Sequence, residues 1–197
     1  METVSIDDLD PAPAENDVDR RALTGPLNAA NVAINRYALD PGERFSGSLH
    51  AHADQEEVFL IVEGEATFET YSPRGRTEPA RSSGEITVGE NEAIRFAPGE
   101  FQSGKNAADE PVVALAVGAP RDSEDVRVPL PCSECGRKDR RPIVTDGAEI
   151  LVCPDCGAES PVKCSECGRS DLRVVLGPDG ESVVNICRDC GAESTVA

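Results

Sequence analysis

The sequence predicts a mainly β protein: one small sandwich or barrel, followed by a cysteine-bearing module that occurs twice. Three observations lead there. Short apolar runs recur between Ala29 and about Val117, separated by turn residues. No stretch carries the 3.6-residue periodicity of an amphipathic helix. All eight cysteines fall in CxxC pairs, and none lies elsewhere.

In chain order, residues 1–24 are rich in Asp, Glu, Pro and Ala and short of large apolar side chains. Such a segment cannot bury enough surface to offset its ordering entropy, so a disordered acidic arm is expected. Residues 25–120 hold the β pattern. Its runs are Val32 to Leu39, Phe45 to His52, Val58 to Val62, Ala66 to Tyr71, Ile86 to Val88, Ala93 to Phe96 and Val112 to Val117. Pro41-Gly42, Glu63-Gly64, Gly89-Glu90-Asn91 and Pro98-Gly99 punctuate them. The charged, Pro-containing residues 121–131 are expected to be a linker. Residues 132–160 and 161–197 are the two expected ribbons; within them 132–160 and 164–194 begin and end alike, as CSECGR and CGAES, the mark of one duplicated module.

The formal charge of −18 is large for 197 residues, and only Lys105, Lys138 and Lys163 are lysines. An acidic, lysine-poor surface suits concentrated salt, where charge repulsion is screened within ~3 Å at 1 M. A halophilic, haloarchaeal source is the expectation. The same charge argues against sequence-independent binding to a nucleic-acid backbone. No stretch approaches the ~18 apolar residues of a membrane span. The acidic start METVSIDDLD does not resemble an export signal, and the cytoplasm is the compartment expected.

Cysteine spacing carries the most specific chemistry. Cys132-x2-Cys135 is followed by Cys153-x2-Cys156, and Cys164-x2-Cys167 by Cys187-x2-Cys190. A two-residue spacer lets both thiolates of a knuckle reach one ion, and two knuckles complete a tetrahedral S₄ shell. Between knuckles, β-runs flank Asp146-Gly147 and Asp179-Gly180, as in hairpins. Knuckle, hairpin, knuckle resembles the zinc ribbon family over essentially all of residues 132–194. The resemblance implies one structural zinc per module, in a closed shell with no open position for catalysis. Iron shares the S₄ geometry, and zinc is the expected ion. The basic run Arg137-Lys138-Asp139-Arg140-Arg141 reads as a solvated turn rather than a phosphate contact. No aromatic residue occurs in residues 132–197 to stack on bases. A protein partner is the better expectation for the ribbons.

Both histidines of the chain lie in the run His50-Ala51-His52-Ala53-Asp54-Gln55-Glu56-Glu57. On a strand His50 and His52 project to one side, and Glu57 opens the next strand. Two imidazoles and a carboxylate on one wall suit Fe, Mn, Ni or Zn. The spacing His50-x-His52-x4-Glu57-x6-Gly64 resembles the first motif of the cupin family, although its opening Gly is off the usual offset. Gly89, Pro98-Gly99 and Asn106 resemble the second motif, with Gln102 standing where the family has a third His. The resemblance covers roughly residues 27–120 and implies a single cupin jelly-roll barrel, often dimeric, with a pocket between its sheets. It implies a divalent ion on His50, His52, Glu57 and Gln102, the last a weaker ligand than imidazole.

Along the same strand Val58, Leu60 and Val62 face outward with Glu56, an apolar face that a homodimer partner or the N-terminal arm would cover. The functional expectation is a cupin that binds a small molecule or metal in its barrel, its ribbons docking a partner. The alternative is a cupin metalloenzyme of oxygenase or isomerase type on the same four residues. No catalytic base or nucleophile stands out beyond the ligands.

Overall fold

The computed structural model of the chain describes residues 1–12, 18–73 and 83–196. The barrel is built from β1 (Asp19–Ala22), β2 (Ala33–Leu39), β3 (Ala51–His52), β4 (Glu56–Glu63), β5 (Glu65–Tyr71), β6 (Gly84–Gly89), β7 (Ala93–Phe96), β8 (Phe101–Lys105), β9 (Val112–Ala119) and β10 (Val126–Arg127). One sheet runs β1-β2-β9-β4-β7. Facing it are β6-β5-β8 and the pair β10-β3, joined by the bridge between His50 and Gln102. All the barrel pairings are antiparallel, in a jelly roll.

Alternation along the strands sets the core. On β4, Phe59 and Ile61 are buried, while Leu60 and Val62 point outward. Phe45, Phe59, Phe68 and Phe96 pack with Leu39, Val88, Val112 and Ala114 between the sheets. Phe45 lies edge-on to Tyr37 and stacks with Phe68, with centroids 5.2 and 5.7 Å apart. The motif glycine Gly64 turns the β4–β5 hairpin at φ 77°, and a Cβ there would stand 2.5 Å from the Pro111 carbonyl oxygen. Asn106, buried, donates from Nδ2 to the Leu39 and Glu110 carbonyls and accepts from the Ala108 amide, pinning the turn into β9.

The arm expected to be disordered over residues 1–24 is in part structured. Its residues Asp19–Ala22 pair with Asn35–Ala38 at the sheet edge, and Asp19 bonds Arg21 and Arg36. Edge pairing and ion pairs hold this strand, which its own side chains do not mark. Residues 13–17 of the arm lie outside the described residues. The expected linker 121–131 likewise contributes a barrel strand, β10, which pairs with β3. The run Phe45 to His52 is irregular except at its end.

Each ribbon is a three-stranded sheet: β11 (Arg141–Thr145), β12 (Ala148–Val152) and β13 (Glu159–Pro161), then β14 (Leu172–Leu176), β15 (Val183–Cys187) and β16 (Glu193–Val196). Asp146 and Gly147, at φ 52° and 77°, close the first hairpin as a two-residue turn. In the second, the loop is longer, and Asp179 Oδ1 accepts from the Glu181 and Ser182 amides. The basic run is absorbed by the first ribbon. Arg137 pairs with Asp139 and Asp155, and buried Arg140 donates to Ser160 Oγ and to the Leu151 and Ala158 carbonyls.

The second ribbon packs directly on the barrel. Val174 and Val183 join Leu49, Ala51 and Phe101 in one apolar cluster. Ser48 Oγ and Val174 exchange bonds at 2.7 and 3.2 Å, and the Leu49 amide donates to the Val174 carbonyl at 2.7 Å. The first ribbon is tied through Val128 and Arg140, which exchange backbone bonds of 2.8 and 2.9 Å.

Candidate metal centres and cavity

The cysteine sites follow from knuckle geometry. In all four knuckles the glycine after the second Cys has positive φ, and its amide donates to the carbonyl of the first Cys at 2.9–3.0 Å. That turn brings four sulfurs together in each ribbon. Sγ separations are 3.6 Å for Cys132–Cys156, 3.5 Å for Cys135–Cys153, 3.7 Å for Cys164–Cys190 and 3.6 Å for Cys167–Cys187. Sulfurs bonded tetrahedrally to one zinc stand about 3.8 Å apart, whereas a disulfide closes to about 2.05 Å. The donor set therefore fits two Cys₄ ions. Backbone amides of Cys156 and Asp155 hold the Cys153 thiol down at about 6.

Inside the barrel, β3 and the residues before it carry His50 and His52, β4 carries Glu57, and β8 carries Gln102. The bridge between His50 and Gln102 sets the third element against the first. Donor atoms of His50, His52 and Glu57 lie within 4.8 Å of one another, a small side-chain adjustment from one ion's shell, whose opposite donors stand about 4 Å apart. The imidazole rings meet edge to face at 5.1 Å.

Outer partners fix both rings. His50 Nδ1 donates to the Ser48 carbonyl oxygen at 2.9 Å, which puts the lone pair of the neutral ring on Nε2. His52 Nδ1 lies 2.9 Å from Ser123 Oγ, and that hydroxyl donates to Asp54 Oδ1 at 2.7 Å. The Ser123 hydrogen being committed to Asp54, His52 Nδ1 is the donor and Nε2 again holds the lone pair. Burial, with His50 beside it, pushes His52 down to about 4, against the pull of Asp54. Burial also pushes the Glu57 carboxyl up to about 7, while the Gln102 amide pulls the other way. Gln102 Nε2 donates to Glu57 Oε2 at 3.0 Å, and Gln102 Oε1 is buried with no hydrogen-bond partner. A cation beside Glu57 satisfies that oxygen and offsets the burial of the carboxylate. The residues fit a divalent ion.

The four barrel residues predicted from sequence are thus brought to one place, and so are both cysteine quartets. Sequence reasoning missed Ser48, Asp54 and Ser123, which orient the imidazoles. It also missed Arg20 and Tyr37, whose hydroxyl and guanidinium hydrogen-bond within the cavity near Glu57. Ser123 lay in a segment that read as linker, and Arg20 in one that read as disordered.

The site opens into a cavity of about 1060 Å³ whose walls come from three units. The barrel supplies Tyr37, Phe59 and the four site residues; the first ribbon supplies Pro142, Glu149 and Leu151; the second supplies Leu172, Val174, Asn185 and Arg188. The ribbons complete the pocket as walls.

The family model described as the Cupin domain matches residues 35–118. Among curated proteins none matches the chain. A conserved protein with a double-stranded β-helix domain from Klebsiella pneumoniae is similar at 17% identity, over 61% of this chain and 91% of that one, with a TM-score of 0.46. A putative sugar phosphate isomerase from Acidithiobacillus ferrooxidans is similar at 17% identity, over 68% and 75%, with a TM-score of 0.49. Oxalate oxidase in complex with the substrate analogue glycolate is similar at 12% identity, over 63% and 61%, with a TM-score of 0.50. At these identities the likeness concerns the fold, the cupin jelly roll.

Proposed function

We propose that the protein binds one divalent ion in its barrel through His50, His52, Glu57 and Gln102, and a small molecule in the cavity above it. Zinc in each ribbon fixes the cavity's outer walls. The observation that carries this reading is the convergence of two oriented imidazoles and the Glu57 carboxylate beside an acceptor oxygen without a partner. The ion supplies Lewis acidity and open coordination positions when bound. The chain's own residues aim the imidazole lone pairs and screen the site from water.

Binding leads over catalysis here because the cavity offers little for proton transfer once Glu57 holds an ion. Tyr37, which lines the same cavity, is pushed upward by burial. The metalloenzyme alternative, an oxygenase or isomerase on the same ligands, draws its support from an open cavity next to the ion site. In the same reading the outward Leu60 and Val62, both near 40% exposed, are the surface for a second copy. Val144, on the first ribbon's hairpin, is the surface for a protein partner.

Metal analysis of the full chain tests the central claim. Three ions per chain are expected, falling to two in His50→Ala/His52→Ala. Two ions in the unaltered protein, after growth in Fe, Mn, Ni and Zn, would sink the barrel site.

A further inference from the structure

The segment that carries His50 is irregular just ahead of it. From the Arg44–Lys105 bridge to the His50–Gln102 bridge it advances six residues, while β8 opposite advances three. The surplus forms a bulge over residues 46–49, and a bulge leaves backbone groups outside the ladder. The second ribbon clasps this bulge from outside. Its edge strand β14 presents Val174, whose amide donates to Ser48 Oγ at 2.7 Å. The Val174 carbonyl accepts from Ser48 Oγ at 3.2 Å and from the Leu49 amide at 2.7 Å. Arg188, whose Nε stands 3.8 Å from Asp171, donates from Nη2 to the Gly47 carbonyl at 3.1 Å. Both clasps lie beside the second cysteine quartet. Leu172 of β14 pairs with Cys187 on β15, and Arg188 follows Cys187 directly. On its inner side the same bulge meets the barrel site, where the Ser48 carbonyl accepts from His50 Nδ1 at 2.9 Å. The first ribbon is tied elsewhere, at Val128 through Arg140.

We propose that zinc in the second ribbon controls loading of the barrel site: the ion on Cys164, Cys167, Cys187 and Cys190 holds Ser48, and Ser48 holds His50 in its metal-binding orientation. The coupling rests on the ion-binding reading for what the barrel takes. A ribbon of this size folds on its ion, so emptying the quartet releases Val174 and Arg188 together. The bulge then loses its outer partners, and residues 46–49 regain backbone freedom next to His50. The partner on the far nitrogen of a ligating imidazole is worth about 10- to 100-fold in metal affinity. Ser48 is thus a positioning residue that acts through His50. Linkage makes the effect reciprocal, so an ion in the barrel tightens zinc in the second quartet by the same factor. The chain gains an order of loading, ribbon before barrel.

Two readouts on the full chain test the coupling, and the first needs no barrel ion. Nitrogen-15 NMR of the two imidazoles, the only ones in the chain, reports which ring nitrogen carries the proton, with His52→Gln assigning the signals. With zinc in both ribbons and the barrel empty, His50 should be a single Nδ1–H tautomer. In Cys187→Ala it should become a mixture, and in Cys132→Ala it should not. The second readout is Mn(II) affinity, with free Mn(II) counted by electron paramagnetic resonance, since thiolates leave that ion to carboxylate and imidazole. Affinity should fall about ten-fold or more in Cys187→Ala and stay near that of the unaltered chain in Cys132→Ala. Ser48→Ala, with both ribbons loaded, should weaken Mn(II) in the same direction, and Ser48→Thr, which keeps the hydroxyl, should restore it. Circular dichroism and zinc content confirm that the barrel and the remaining ribbons are folded. An unchanged His50 tautomer or an unchanged Mn(II) affinity in Cys187→Ala overturns the coupling, as does an equal loss in both cysteine variants. A chain that holds two zinc ions and no third metal, yet shows the His50 change in Cys187→Ala, keeps the clasp on His50 and removes the barrel ion.

Discussion

Glu57 and His52 titrate in opposite directions, and that opposition governs the pocket's response to pH. Glu57 is raised to about 7, so the stability its neutral form lends the ion-free fold is full below its ordinary 4.5 and is lost as pH rises through 7. His52 is lowered to about 4, so its contribution is present above 6.5 and lost as pH falls through 4. Between 4.5 and 6.5 the two slopes oppose each other. Glu57→Gln removes only the first. In thermal melts of ion-free protein, this variant should match the unaltered chain near about pH 5 and exceed it near about pH 8. A variant no more stable at the higher pH would mean Glu57 is not buried as described. Ion binding must displace the Glu57 proton, whereas His52 is already neutral above about 4. Affinity for the barrel ion should drop about ten-fold per pH unit below 7. Titrations between about pH 5 and 8 read this directly. Gln102→His places an imidazole where a weaker amide oxygen stands, and it should tighten the ion about ten-fold or more by competition with a chelator.

At the scale of strands and turns, much of the barrel was legible because inward and outward residues alternate along β9 and along parts of β2 and β4. His50 and His52 were legible as i and i+2 of one run, and Glu57 as the residue opening the next strand. Gln102 was found only through its position after Pro98-Gly99. Its strand, FQSGK, is buried by neighbouring strands although only Phe101 is apolar and large. β1 has the sequence DRRA and no apolar alternation at all; backbone pairing at an edge made it a strand. The seam between barrel and second ribbon was the least legible feature. Val174 and Val183 read as the ribbon's own apolar residues, and nothing in their spacing says that Leu49 lies across from them. That seam makes a specific prediction. Leu49 is fully buried against Val174 and Val183, so Leu49→Ala should cost about 2–5 kcal/mol in denaturant unfolding. Combined with Val174→Ala, the two losses should be non-additive by about 0.5 kcal/mol or more. Strict additivity would show that the two side chains do not share a contact.

For the whole molecule, the zinc proposed for each quartet would be what lets a ribbon serve as a wall. A module of this size has little core of its own, and ion binding is its folding free energy. The barrel differs, because its aromatic cluster lies wholly between its own sheets. Removing zinc should therefore unfold the ribbons and leave the barrel standing. With β14 gone, Ser48 and the Leu49 amide lose their Val174 partners, and Leu49, Ala51 and Phe101 face water. The cavity loses Leu172, Asn185 and Arg188 together. A strong chelator that takes the ribbon zinc should thus raise the radius of gyration in X-ray scattering and increase binding of a hydrophobic dye, while the barrel's β-sheet circular dichroism persists. Cys187→Ala, which breaks only the second quartet, should reproduce the dye response. Cys132→Ala in the first quartet should leave the Val174 seam intact and affect the dye signal less. Net charge adds a salt dependence to the same experiment. At −18, the ribbons and barrel repel one another most at low ionic strength, so the chelated form should expand more in dilute buffer than in about 1 M salt. Unchanged compactness after full zinc removal would show that barrel contacts alone fold the ribbons, and zinc would then have no hold on the cavity wall.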